Sequence, residues 1–149
     1  MSTLKRAVIT GIGAISCIGN NISEITKSLK SGTSGIRFNE SYKELGMRSH
    51  ISGSINLNLK DLIDRKHLRF MGEAASYAYL SAAEAIRDSG LDLSRFSSLD
   101  VGVIAGSGGA SSRSQVEAAD IVKSKGVKRI GPYRAVSYTH LTLPTKALV

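Results

Sequence analysis

Three cations stand close together in Ile63–Met71, which reads IDRKHLRFM. Arg65, Lys66 and Arg69 occupy positions i, i+1 and i+4, and residues four apart lie on one side of a helix. If a helix begins here, the three side chains form a compact positive patch on a rigid element. Such a patch suits a phosphate or an acidic protein surface, because complementary charge accelerates association. A solvated basic face without a partner is the alternative, and these residues alone favour neither interpretation.

Side chains suited to nucleophilic or metal chemistry are few. Cys17 is the only cysteine among 149 residues, is flanked by Ile15 and Ile18, and has no histidine near it in sequence. This setting favours a small buried thiol over an activated nucleophile. Three scattered histidines and one cysteine do not form a clustered ligand set, so we predict no metal site. We assign no catalytic residue in this chain.

Two glycine clusters each follow a short apolar run. Gly11-Ile12-Gly13 has Ser16 at the third position of a dinucleotide-binding fingerprint, and no helix begins directly after it, so a structural turn is favoured over a nucleotide site. The segment 106–109 (GSGG) ends the apolar run VGVIA. Ligands of open α/β sheets bind at the carboxyl ends of strands. A tight turn that needs glycine is the other interpretation of this second cluster.

The order of predicted elements is strand, helix, helix, strand, helix. Continuous apolar runs interleaved with helices predict an α/β fold in which helices cover a parallel or mixed sheet. Ser31 to about Asn58 is expected to be loop-rich. The predicted strands are Arg6–Thr10 and Val101–Ala105. The first predicted helix begins at Asn20 or Asn21, with Glu24 in a capping box, and stops at Gly32. The second runs from about Phe70 to Ser89, with Gly90 as its stop. The third runs from Ser111 or Ser112 to about Lys123.

The composition narrows the range of partners. The formal net charge is +8, from 20 basic and 12 acidic residues. A second basic cluster contains only one aromatic residue, so interleaved stacking platforms for single-stranded nucleic acid are missing. No apolar run is long enough for a membrane-spanning helix, and a single cysteine fits a reducing compartment. The members of this second cluster are Lys123, Lys125, Lys128, Arg129 and Arg134, with Tyr133 as its aromatic residue.

Six segments together closely resemble the β-ketoacyl-acyl-carrier-protein synthases, and most closely their type I branch. They are KRAVITGIGAISCIGN, SLKSGTSGI, GMRSHISG, IDRKHLRFM, VGVIAGSGGASSR and IGPY. The resemblance implies the N-terminal half of a thiolase-like fold, which has two similar α/β halves in one chain. It also implies a cytoplasmic, homodimeric acyltransferase of fatty acid biosynthesis that condenses an acyl thioester with malonyl-carrier. No cofactor is implied beyond the phosphopantetheine arm of the acyl carrier protein.

The resemblance also suggests roles for particular residues. Arg65, Lys66 and Arg69 match the positions that dock the acyl carrier protein. Lys125 and Lys128 match a second docking cluster across the dimer, in a loop one residue shorter than in the family. Gly108 and Gly109 match a loop near the acyl pocket, and the small Gly109 favours the type I branch. The family's nucleophilic cysteine and two catalytic histidines match no residue here, including Cys17, His50 and His67, so the chain alone is expected to be inactive.

The chain is predicted to contain two parts of different origin. Residues 1–135 are interpreted as an incomplete N-terminal portion of a β-ketoacyl synthase domain. Residues 136–149 begin with VSYTHLTLPT, which agrees in one reading frame with the translation of a transposase-based sequencing adapter. We therefore interpret this tail as an artefact and exclude it from fold reasoning.

Three other functions remain open on the sequence. A non-catalytic carrier-binding partner of the chain-length-factor kind would lack the nucleophilic cysteine. A polyketide-type ketosynthase would carry out the same condensation in another pathway. A basic nucleic-acid-binding domain would bind DNA at low ionic strength, because phosphate contacts dominate such affinity. The first two alternatives keep the acyl carrier protein as the partner. The preferred interpretation also has the acyl carrier protein as its partner, and predicts binding to neither nucleic acid nor a membrane.

Overall fold

Six helices and two short strands follow one another along the described part of the chain. The computed structural model describes residues 6–92, 94, 102–107 and 111–131. Strands β1 and β2 pair antiparallel, with Ile36 opposite Gly53 and Phe38 opposite Ile51. The combination of helices with a small sheet confirms the predicted α/β class. The elements are α1 (Ile22–Ser31), β1 (Ile36–Phe38), α2 (Glu40–Glu44), β2 (Ile51–Gly53), α3 (Leu59–Leu62), α4 (Arg65–Leu68), α5 (Glu73–Ser89), α6 (Ser112–Lys125) and a 3-10 turn (Val127–Arg129).

The chain divides into two units of internal contact. The first unit contains residues 1–57 and 80–91, and the second contains residues 58–79 and 92–149. Helix α5 therefore contributes its C-terminal part to the first unit and its N-terminal part to the second. In the described residues, no helix is long and apolar enough to cross a bilayer.

Helix α1 is fixed at both ends by the residues that the sequence predicts. The Asn21 side chain accepts a hydrogen bond from the Glu24 N–H at 2.9 Å. The Glu24 carboxylate in turn accepts one from the Asn20 N–H at 2.8 Å. Gly32 ends the helix with φ 66°, a left-handed conformation that glycine adopts without a steric penalty. The capping box and the glycine stop are both confirmed.

In the first unit, the glycine turn that follows residues 6–10 lies directly against α5. A Cβ atom on Gly13 would stand 1.9 Å from the Ser81 carbonyl oxygen, and one on Gly11 would stand 2.2 Å from the Ala85 carbonyl oxygen. Only glycine permits so close an approach of two backbones. The small residues of α5 accordingly allow the close backbone contact that its composition predicts.

Two carboxylates of α5 hold this turn in place. Glu84 accepts hydrogen bonds from the N–H groups of Ala14 at 3.1 Å and Ile22 at 2.9 Å. Asp88 accepts one from the Ile12 N–H at 2.9 Å. Two N–H groups of this turn, those of Ile12 and Ala14, are thus bonded to carboxylates, which would repel a nucleotide phosphate. The structure supports the structural interpretation of the first glycine cluster.

The two predicted strands do not form in the described residues. Residues 6–10 and 102–105 are irregular, and Val101 lies outside the described part. A strand requires a neighbour to complete its backbone hydrogen bonds, and neither apolar run has a strand partner among the described residues. The stretch Ser31–Asn58 is loop-rich as predicted, although it also contains the short elements β1, α2 and β2. The exposed apolar side chains of the two runs include Val8, Ile9, Val103 and Ile104, the last with 94% of its surface accessible.

Little apolar surface is enclosed. Among the described residues, Ile63 is the one large hydrophobic side chain that is buried, with 4% of its surface exposed. Many other large apolar side chains in the described part of the chain are exposed, among them Leu29, Leu45 and Val127. The described residues therefore leave uncovered apolar surface that a self-sufficient domain would bury.

Candidate functional site

The basic residues of Ile63–Met71 are displayed on the short helix α4 in the second unit. Asp64 caps this helix, because its carboxylate accepts a hydrogen bond from the Lys66 N–H at 2.8 Å. Its backbone oxygen accepts from the N–H groups of His67 and Leu68, both at 2.9 Å. The buried Ile63 side chain directly precedes the cap. The cap bonds of Asp64 and the buried Ile63 thus fix the first turn of α4, which carries Arg65 and Lys66.

Arg65, Lys66 and Arg69 are all exposed, and we call them the α4 patch. The Arg69 N–H donates a hydrogen bond to the Arg65 carbonyl oxygen at 3.3 Å. Arg69 therefore lies one helical turn after Arg65, although α4 itself ends at Leu68. Arg69 also places its guanidinium carbon 4.5 Å from the centroid of the Phe70 ring. The predicted spacing of the three cations on one side of a helical turn is consistent with this geometry.

The α4 patch lies before the long helix α5 and is not part of it. Helix α5 starts only at Glu73, after a tight turn in which the Phe70 and Met71 N–H groups bond to residues three positions earlier, at 3.0 and 3.1 Å. Gly72 stands at the break and is a poor helix residue, because its backbone loses the most freedom on ordering. The patch therefore belongs to a separate, independently capped element.

The described members of the second basic cluster lie at and just after the C-terminal end of α6. Lys123 and Lys125 occupy the last turn of the helix, and Lys128 lies in the 3-10 turn that follows Gly126. All of these cations are exposed. Cations at a helix C-terminus interact favourably with its partial negative charge. Lys125, Lys128 and the α4 patch belong to the same unit of the chain.

An ion pair joins the first turns of α5 and α6 within the second unit. Arg113 donates to the Glu73 carboxylate at 2.6 Å. Burial raises the pKa of the nearby Tyr77 hydroxyl, Glu73 raises it further, and Arg113 opposes the rise. Ser111 caps α6 by accepting a hydrogen bond from the Ser114 N–H at 3.3 Å. The sequence predicted the cap but not the ion pair, because residues 40 positions apart give no local signal.

Two of the predicted site residues cannot be placed. Gly108 and Gly109 lie outside the described residues, as do Tyr133, Arg134 and the tail 136–149. Gly106 is described, and a Cβ atom added to it would meet nothing within 4 Å. The proposed acyl-pocket loop thus stays a prediction from sequence.

Cys17 lies in a niche formed by two glycines. A Cβ atom on Gly35 would stand 2.7 Å from the Cys17 sulfur, and one on Gly53 would stand 3.0 Å from it. The cysteine is half-buried and lines a surface cavity of about 360 Å³ together with Arg37 and other residues. Its side chain fills space left by glycines, and none of the described residues that line the cavity is a histidine, so the structure supports a packing role.

The histidines are not arranged for catalysis in the described residues. The His50 ring packs edge-on against Phe38, with centroids 5.9 Å apart. His67 is exposed on α4. The described ranges contain no group of three or more histidine, cysteine or acidic side chains that could hold a metal ion.

Comparisons with known proteins agree with these features. Residues 5–145 match the family model "Beta-ketoacyl synthase, N-terminal domain". The chain is 50% identical over 132 residues to 3-oxoacyl-[acyl-carrier-protein] synthase 1 of Escherichia coli K12, which covers 87% of this chain and 32% of that protein. The chain thus spans about a third of the length of this curated relative.

Two solved structures share the fold. A β-ketoacyl synthase from Burkholderia phymatum covers 95% of this chain and 37% of its own, with a TM-score of 0.72 and 22% identity. The ketosynthase AntDE, solved with its type II polyketide acyl-carrier protein AntF, covers 88% of this chain and 35% of its own, with a TM-score of 0.66 and 21% identity. These neighbours confirm the thiolase-like α/β fold. The chain belongs to the β-ketoacyl synthase family, as its N-terminal domain model shows.

Proposed function

We propose that this chain is the N-terminal portion of a 3-oxoacyl-[acyl-carrier-protein] synthase of type I, and that the α4 patch docks the acyl carrier protein. The observation that carries the proposal is the exposed cation triad on a capped helical turn in a chain 50% identical to such a synthase. Arg65, Lys66 and Arg69 would attract an acidic carrier through charge complementarity. A related ketosynthase fold solved with its acyl-carrier protein supports this class of partner.

The reaction we propose for the whole protein is the condensation of an acyl thioester with malonyl-carrier in fatty acid biosynthesis. Both substrates arrive on the phosphopantetheine arm of the carrier, so no other cofactor is proposed. This chain contributes carrier binding, while the nucleophilic cysteine and the two histidines belong to the part of the family domain that it does not cover. Lys125 and Lys128 would add a second docking cluster across a cytoplasmic homodimer, and Gly108 and Gly109 would shape the acyl pocket.

We also propose that residues 136–149 are a translated adapter and that the native protein continues differently after Ala135. The family match runs to residue 145 and therefore crosses this boundary without resolving it. A sequencing read through the native locus from upstream of Ile130 decides the matter. A Ser-Ala-Cys segment and two later histidines would support the proposal, whereas VSYTHLTLPT followed by a stop codon after Val149 would overturn it. The protein encoded by the uninterrupted gene is called the full-length synthase below.

The docking role is tested by reversing one charge. We expect Lys66→Glu to weaken carrier-dependent turnover of the full-length synthase and to spare turnover of small carrier-free thioesters, because only the former needs docking. Lys27→Glu is the matched control, since Lys27 is an exposed lysine on α1 in the first unit. Equal carrier-dependent turnover of Lys66→Glu and wild type at low salt would refute the docking role. Carrier binding without any condensation by the wild type would favour the chain-length-factor alternative.

A further inference from the structure

We infer that Phe70 is a positioning residue, whose ring holds the Arg69 guanidinium in the orientation that engages an acidic carrier. This inference rests on the proposed docking function and extends it from the three cations to Phe70, an uncharged residue. It assigns unequal roles to the members of the α4 patch. Arg69 would be the pre-ordered contact, whereas Lys66 would be an adaptable one.

The geometry of the pair carries this assignment. The guanidinium carbon of Arg69 lies 4.5 Å from the Phe70 ring centroid, within the range of about 6 Å over which a cation is attracted to an aromatic face. Phe70 is half-buried, while Arg69 is exposed. The backbone beneath them is fixed, because the Phe70 N–H bonds to the His67 carbonyl oxygen at 3.0 Å. The ring thus forms an ordered support for a cation that faces solvent.

Pre-ordering matters because long cationic side chains lose rotamer freedom when they bind. Arginine has several rotatable bonds, and immobilising such a side chain at an interface weakens binding. A guanidinium already stacked on a ring has lost part of this freedom before the carrier arrives. The ring covers one planar face of the guanidinium, and the N–H groups of an arginine lie along its edge, in the fork that matches carboxylates. We therefore expect the ring to strengthen carrier binding about threefold.

The test is a double-mutant cycle in the full-length synthase, read as the Kd for holo-acyl carrier protein at low salt. Phe70→Leu removes the ring and keeps an apolar side chain, and Phe70→Met is a second such variant if the first fails to fold. Phe70→Tyr is the matched control that keeps the ring. Each substitution is made in the wild type and in Arg69→Gln, with a melting curve to establish that the protein is folded.

The expected result is a Kd about threefold higher for Phe70→Leu than for wild type, with Phe70→Tyr unchanged. In the Arg69→Gln background, Phe70→Leu should have no further effect, and KM for carrier-free thioesters should not change. An equal loss from Phe70→Leu in both backgrounds would show a merely structural role and overturn the inference. If Arg69→Gln itself leaves carrier binding intact, the proposed docking function fails, and the two failures are thereby distinguished.

Discussion

The clearest structural prediction concerns Gly13, the residue closest to α5. In Gly13→Ala, the new Cβ atom would lie 1.9 Å from the Ser81 carbonyl oxygen, whereas real Cβ atoms keep at least 3.0 Å from such an atom. The turn and the helix must therefore separate by about 1 Å. That movement strains the hydrogen bonds that Glu84 and Asp88 accept from the turn.

The expected cost follows from these contacts. Hydrogen bonds to charged groups contribute about 1.5–3 kcal/mol each, and overpacking commonly costs about 1–3 kcal/mol. Loosening two or more of the carboxylate bonds thus predicts a loss of roughly 3 kcal/mol or more. In the full-length synthase we expect Gly13→Ala to lower the Tm by about 5 °C or to abolish soluble expression.

Gly72→Ala is the matched control for this prediction. A Cβ atom on Gly72 would meet the Ser111 side chain at 3.4 Å, which is an ordinary contact. We expect its Tm to stay within about 1 °C of wild type. A Gly13→Ala protein that melts with the wild type would refute the close packing of the turn on α5. It would also reopen the interpretation of Gly11-Ile12-Gly13 as a phosphate-binding loop.

Two further predictions concern titration and the isolated chain. Because Glu73 raises the pKa of Tyr77 and Arg113 opposes that rise, Glu73→Gln should lower this pKa and Arg113→Gln should raise it, as measured by phenolate absorbance. Because the pKa of Tyr77 is raised in the folded state, its hydroxyl loses its proton at lower pH in the unfolded state. This residue should therefore reduce the stability of the fold as the pH rises above about 10. Shifts of the Tyr77 pKa opposite to those expected for Glu73→Gln and Arg113→Gln would contradict this reasoning. The 149-residue chain alone, whose described part exposes many large apolar side chains, should bind a hydrophobic dye, lack a cooperative melt and show no condensing activity. A soluble monomer with one sharp melting transition would argue against that expectation.

Local signals in the sequence predicted the three longer helices, α1, α5 and α6, but not the short helices α2, α3 and α4. The Asn21 cap, the Glu24 capping interaction and the Gly32 stop all act within a few residues, so their chemistry is visible in the order of side chains. The Ser111 cap of α6 was predicted for the same reason. The start of α5 was placed too early, because helix periodicity continues through Phe70–Gly72 while the backbone turns there.

Non-local features were predicted less well. The apolar runs at 6–10 and 102–105 have the composition of buried strands, but a strand forms only where another strand supplies hydrogen-bond partners. The pairing of β1 with β2 was missed because each strand has only three residues. The ion pair between Glu73 and Arg113 joins residues 40 positions apart, so it gives no local signal in the sequence. In the candidate site, the spacing of Arg65, Lys66 and Arg69 was predicted, while the contact of Arg69 with Phe70 required coordinates.

The central claim is that an exposed basic patch docks an acidic carrier. The most direct measurement is the Kd of the full-length synthase for holo-acyl carrier protein across a range of salt concentrations, with wild type and Lys66→Glu side by side. Exposed charges are screened over about 10 Å at 0.1 M salt and about 3 Å at 1 M. We predict that wild-type binding weakens steeply as salt rises, and that Lys66→Glu binds about tenfold more weakly at low salt but approaches wild type at high salt. Binding that is indifferent to both salt and Lys66→Glu would contradict the account.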